Sequence, residues 1–140
     1  FDLILSNALF TLKKLDKLIS YREKNWSLFY NLFKHDKRFI IQKNKLKNKN
    51  ASFALTFIIK DSKKMNKDKI YKKLKQNQIA YRLITGGCFT EHPYRKFFDF
   101  KIHDNLKNAK KAHKDGFFVG NAGQDLTNKI LRLHKVLKDI

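Results

Sequence analysis

Cys88 and His92, with His103 and His113 downstream, are the residues whose types could hold a metal or form a nucleophile. Zinc needs three or four ligands in tight spacing, and one cysteine with scattered histidines does not supply them. A nucleophilic cysteine needs a base held against it, and nothing in the sequence places one. Cys88 therefore reads as a buried, inert thiol. Arg82 is a different case. It stands in the otherwise apolar run 79–84, where an arginine must meet a carboxylate, a phosphate or solvent, because an unpaired buried charge is costly. It is either an anion-binding group or half of a structural ion pair. Gly86 and Gly87 follow it closely, and all five glycines (86, 87, 116, 120 and 123) fall within the last 55 residues. A glycine pair after a strand is a turn, or a strand end opened toward a ligand, since glycine tolerates positive φ and close approach to its backbone. Neither a G-x-G-x-x-G fingerprint nor a phosphate loop is present.

These residues need elements to position them. Leu12, Leu15, Ile19, Arg22, Trp26, Phe29 and Phe33 recur at steps of three and four, which predicts one long amphipathic helix with the Arg22 stem lying along its stripe. Residues 43–50 form a lysine- and asparagine-rich polar loop. Residues 38–42, 52–59, 78–84 and 117–119 read as strands, and the alternation in 52–59 predicts a central strand apolar on both faces. Asn66 is the expected cap of a helix carrying Ile70, Tyr71 and Leu74. Asp104 or Asn105 is expected to cap a short helix stopped by Gly116, and Thr127 to cap a last helix whose face holds Ile130, Leu133, Leu137 and Ile140. Phe97, Phe98 and Phe100 read as a cap over the sheet in preference to a base-stacking surface. The expected fold is α+β: a small, mostly antiparallel sheet with helices packed on one face, preceded by a long connecting helix.

Composition excludes several classes. With 140 residues and 42% hydrophobic content the chain is a folded globule of one domain. No apolar run is long enough to span a membrane. A single cysteine excludes an internal disulfide and fits a reducing cytoplasm. The net charge of +20 suggests nucleic acid at first sight. The cations, however, are 27 lysines and only five arginines, and arginine is the residue that forks onto phosphates and bases. The wealth of Lys, Asn, Ile and Phe reads instead as drift in an AT-rich genome.

Four blocks carry a resemblance: Arg82-Leu83-Ile84-Thr85-Gly86-Gly87-Cys88-Phe89, then Lys96-Phe97-Phe98-Asp99-Phe100, Asn105-Leu106-Lys107-Asn108-Ala109 and Gly116-Phe117-Phe118-Val119-Gly120-Asn121. They resemble the C-terminal blocks of DegT/StrS-type pyridoxal-phosphate sugar aminotransferases and of the related 4-keto-6-deoxyhexose 3-dehydratases. The stretch from Leu12 to Trp26 is similar to the helix that leads out of that family's large domain. The resemblance implies residues 1–33 as an interdomain helix and 34–140 as a small C-terminal domain. It places the large domain, with the pyridoxal 5'-phosphate cradle and its Schiff-base lysine (or the histidine that replaces it), before residue 1. No catalytic residue and no metal ligand is therefore assigned here. It also implies a nucleotide-linked sugar as substrate, a homodimer when whole, and a role in making surface polysaccharide. The substrate-facing residues it implies are Arg82, Gly86, Gly87, Cys88, Phe89, Gly120 and Asn121. One departure stands out: many relatives carry histidine after the Gly-Asn pair, where this chain has Ala122.

Overall fold

The structure, a computed structural model, describes residues 2–44, 49–84 and 86–140, with side chains from Ser6 onward except Asn7. Residue 1, residues 45–48 of the polar loop and Thr85 of the glycine block lie outside the described residues. Helix α1 (Asp2–Phe33) leads into strands β1 (Phe39–Ile41) and β2 (Ala54–Ile59). Helix α2 (Lys67–Gln76) and strand β3 (Arg82–Leu83) follow. Two 3-10 turns, Phe89–Glu91 and Pro93–Phe97, come before helix α3 (Lys107–Asp115), strand β4 (Gly116–Gly120) and helix α4 (Thr127–Lys138).

The sheet order is β1-β2-β4-β3, and every pair is antiparallel. The register puts Phe57 beside Ile41 and Phe117, and Leu55 beside Val119. These side chains share one face, and α1, α2 and α4 close it with Phe29, Phe33, Ile70, Leu74, Ile130, Leu133 and Leu137. Phe57 stacks on Phe117 at 4.9 Å and takes the edges of Phe29 and Phe33 at 5.0 Å each. Burying a phenylalanine this fully contributes about 1.5–3 kcal/mol. The opposite face is not closed in the same way. Thr56, Ile58 and Phe118 are half-buried there, and Ile40 and Arg82 are exposed. Strand β2 is central, as expected, but its second face is less completely covered than its first.

The long stripe of α1 is also only partly used. Phe29 and Phe33 are 1% exposed, whereas Leu12 and Leu15 are 63% and 43% exposed. At α2 the expected cap is observed: Asn66 Oδ1 accepts from the N–H groups of Asp68 (2.8 Å) and Lys69 (3.3 Å). The strand expected over 78–84 shrinks to two residues. Gln78 takes φ +54° and Ile79 N–H donates to Leu74 O, so this stretch completes the helix exit before it can pair. Helix α3 begins after Leu106, and its capping oxygens act a step early: Asp104 accepts from Leu106 N–H and Asn105 from Lys107 N–H. At α4 the cap position falls on Leu126, not on Thr127. Asp125 accepts from Thr127 N–H at 2.8 Å, and Asn25 of α1 accepts from Leu126 N–H at 3.0 Å.

Candidate functional site

Strand β3 lies at the sheet edge with Arg82 beside Phe118 and Leu83 beside Phe117. Tyr81, just before it, stacks on Tyr71 of α2 at 4.7 Å, and Tyr71 meets the edge of Phe117. Burial, followed by the neighbouring Tyr81, Asp115 and Asp68, pushes the Tyr71 phenol above its usual range. This aromatic pair ties the short strand to α2 and fixes where Arg82 starts. Arg82 is exposed and makes no ion pair among the described residues, so nothing described in this chain neutralises it. A shallow pocket of about 390 Å³ gathers Phe53, Ala80, Tyr81, Arg82, Phe118 and Gly120 on the half-open face. Phe53 meets Phe118 edge to face at 6.0 Å there. Arg82 and Gly120, far apart in sequence, are therefore brought to one surface. A larger pocket of about 580 Å³ lies beside Arg38 and α2, on the β1 side of the sheet, and includes none of the expected site residues.

The glycine pair forms the next feature. Gly86 takes φ +77° and Gly87 φ +44°, the left-handed region that disfavours other residues. A β-carbon on Gly86 would enter open space, whereas one on Gly87 would collide with the His113 ring. Cys88 is 2% exposed, and its Sγ lies 3.1 Å from Thr90 Oγ1. Its N–H donates to His113 Nδ1 at 3.3 Å. Phe89 is exposed and meets the edges of Phe98 and Phe100.

Asn121 sits differently from the other expected site residues. It is 2% exposed, and its Nδ2 donates to Arg22 O (3.1 Å) and Ser52 O (2.8 Å) while its Oδ1 accepts from Asn25 (3.0 Å). Its amide is fully engaged inside the chain, holding the turn after β4 against α1. Asn25 was not singled out from sequence. The signal was present: it lies three residues after Arg22 and four before Phe29, a polar residue on the buried stripe.

The aromatic segment corrects another expectation. Phe97, Phe98 and Phe100 do not cap the sheet; they are 70%, 59% and 42% exposed, and Tyr94 is 67% exposed. The segment runs through 3-10 turns and irregular backbone, with Arg95 turned back onto Thr90 O at 3.1 Å, and among the described residues Phe89 packs on Phe98 and Phe100 but leaves the segment largely open. Within it Glu91, Asp99 and Asp104 match Arg95, Lys96 and Lys101 in number. An apolar, charge-balanced surface suits a protein contact more than a phosphate backbone.

Among the described residues no three His, Cys, Asp or Glu side chains gather to hold a metal, and no lysine is buried.

An all-antiparallel four-stranded sheet with four helices, an exposed edge arginine and a glycine loop define a small α+β domain. The model of the DegT/DnrJ/EryC1/StrS aminotransferase family matches residues 5–129, and the chain belongs to that family. It is 33% identical over 128 residues to GDP-4-keto-6-deoxy-D-mannose 3-dehydratase of Escherichia coli O55:H7, and 34% identical to the protein of that name from Yersinia pseudotuberculosis. Each alignment covers 91% of this chain and 32% of the relative, so the chain spans about a third of their length. The solved E. coli enzyme, which holds hydrated PLP, superposes with a TM-score of 0.85 at 32% identity, over 92% of this chain and 33% of that one.

Proposed function

We propose that this chain is the C-terminal part of a pyridoxal-phosphate-dependent enzyme that modifies nucleotide-linked 4-keto-6-deoxy sugars, by 3-dehydration or transamination. The observation that carries the reading is the agreement with the 3-dehydratases across nearly the whole chain, together with Arg82 exposed beside the glycine loop and without an ion pair among the described residues. The cofactor supplies the electron sink, and it is held by the part of the polypeptide that this chain lacks. What this chain contributes is binding and water exclusion. Arg82 pairs with a diphosphate or another acidic group, Gly86 and Gly120 admit that group close to the backbone, Gly87 lets the loop turn against His113, and Phe89 closes over the group. Cys88 and Asn121 serve the same site from behind, by fixing the two turns that carry these residues. The exposed face of α1 and the aromatic segment are the surfaces that the large domain covers. The whole enzyme is a cytoplasmic homodimer serving surface-polysaccharide synthesis.

The test uses the full-length protein with pyridoxal phosphate, an amino donor and GDP-4-keto-6-deoxy-D-mannose. Mass spectrometry of the product distinguishes loss of the C3 oxygen from replacement of the keto oxygen by nitrogen. Failure to bind or convert this and other nucleotide-linked keto sugars would sink the reading.

A further inference from the structure

Two adjacent glycines give a loop more conformational freedom than any other pair of residues, so its shape must be imposed by contacts. The two-residue strand β3 supplies few of them. The loop's shape comes instead from two imidazoles. Cys88 is buried, and a buried N–H must find an acceptor. The acceptor is His113 Nδ1 at 3.3 Å, which places the proton of that ring on Nε2. Gly86 O can only accept, so His92 Nε2 is the donor across 2.9 Å. The two rings meet edge to face at 5.2 Å, and Gly87 lies so close to His113 that any side chain there would strike the ring. Three successive residues, 86 to 88, are thus gripped by one pair of histidines. His113 stands in the last turn of α3, which runs without a break into β4, the strand paired with both β2 and β3. The grip is therefore anchored to the core sheet. These engagements also use the ring nitrogens nearest the loop, which answers why Cys88, His92 and His113 lie close together without being a metal site.

We propose that His113 and His92 are positioning residues that clasp the Gly86–Gly87 loop in its open-backbone shape and so set how Arg82 and Phe89 meet the sugar nucleotide. The substrate half of this statement rests on the function proposed above; the clasp itself does not.

The experiment uses the full-length protein with His113→Leu, His113→Asn and His92→Phe. Asparagine carries an oxygen near the place of Nδ1 and keeps the acceptor, and phenylalanine keeps the ring of His92 without its donor. Alkylation of Cys88, followed by peptide mass spectrometry, reads the loop. We expect the Cys88 rate to rise at least tenfold in His113→Leu and severalfold in His92→Phe, with wild-type protection restored in His113→Asn. In parallel, KM for the sugar nucleotide should rise at least fivefold in His113→Leu and return to within twofold in His113→Asn, with kcat little changed in either. Unchanged Cys88 protection in folded His113→Leu overturns the clasp; should that variant not fold, the same result in His92→Phe does so. Lost protection with unchanged KM overturns the positioning role. If the wild-type protein neither binds nor converts the sugar nucleotide, the proposed function and the substrate half fall together, while Cys88 alkylation still decides the clasp.

Discussion

Asn25 of α1 and Asn121 after β4, 96 positions apart, meet inside the domain with Asn25 Nδ2 donating to Asn121 Oδ1 at 3.0 Å. The same Asn25 amide reaches Ala122 O at 3.3 Å and Gln124 O at 2.8 Å, and its oxygen accepts from the N–H of Leu126, the residue that caps α4. One pair of side chains thus joins the long helix, the end of the central sheet and the start of the last helix.

Because both amides are buried, removing either leaves several backbone groups without a partner. Asn121→Ala is expected to cost about 2–4 kcal/mol, and Asn25→Ala a similar amount, since each orphaned buried group costs about 1–3 kcal/mol. Urea unfolding of the single and double variants should show the double variant costing clearly less than the sum of the singles. A stable Asn121→Ala with a raised KM would return this residue to direct ligand contact.

The glycines of β4 should respond in opposite ways. A β-carbon on Gly116 would meet Ala112 O and the Ile84 side chain, whereas at Gly120 there is nothing within 4 Å. Gly116→Ala should lower stability by about 1–3 kcal/mol, the usual range for overpacking, with Gly120→Ala within about 0.5 kcal/mol of wild type. Thermal melts of the two variants side by side check the contrast.

Arg82→Ala should leave the fold intact, because the exposed side chain has no ion pair among the described residues to lose. In the full-length enzyme KM for the sugar nucleotide is expected to rise about tenfold, equivalent to about 1.4 kcal/mol. A loss of stability with no separate effect on substrate would assign Arg82 to the fold instead.

The Asp36–Arg38 pair makes stability sensitive to acid. Arg38 grips Asp36 through two nitrogens and donates from Nη1 to Leu137 O at 2.8 Å and Ile140 O at 3.3 Å, closing the end of α4. Partial burial pushes the Asp36 carboxyl up, but the hydrogen bonds and charge of Arg38, aided by His134, outweigh it and leave the group below its usual value. A depressed folded pKa means that the contribution is complete above the ordinary carboxylate value of about 4 and is lost as pH falls through the lower folded value. Asp36→Asn should therefore cost about 1 kcal/mol at neutral pH. The gap to wild type, followed by denaturant titration, should close below about pH 4. A gap that persists to pH 2 would mean the charge is not its source.

The sequence by itself determined what is local and periodic. The stripe of α1, the Asn66 cap, the alternation of β2 and the apolar face of α4 all follow from spacing that repeats within one element. The family resemblance was legible for a related reason: its glycines and Arg82 occur in runs short enough to recognise directly. What the tertiary structure decided was everything that depends on a partner distant in the chain. Residues 78–81 have strand-like composition, yet the left-handed turn at Gln78 and the pull of Leu74 O leave only Arg82 and Leu83 to pair with β4. Thr127 looks like a cap, but Asn25, a hundred residues earlier, already supplies the acceptor one position sooner. Phe97, Phe98 and Phe100 read as core by type, since hydrophobicity states that a side chain is better buried but not whether its own chain supplies the cover. His92 and His113 stood out in the sequence only as possible metal ligands; their contacts with the glycine loop depend on backbone groups that only the folded loop brings within hydrogen-bonding distance.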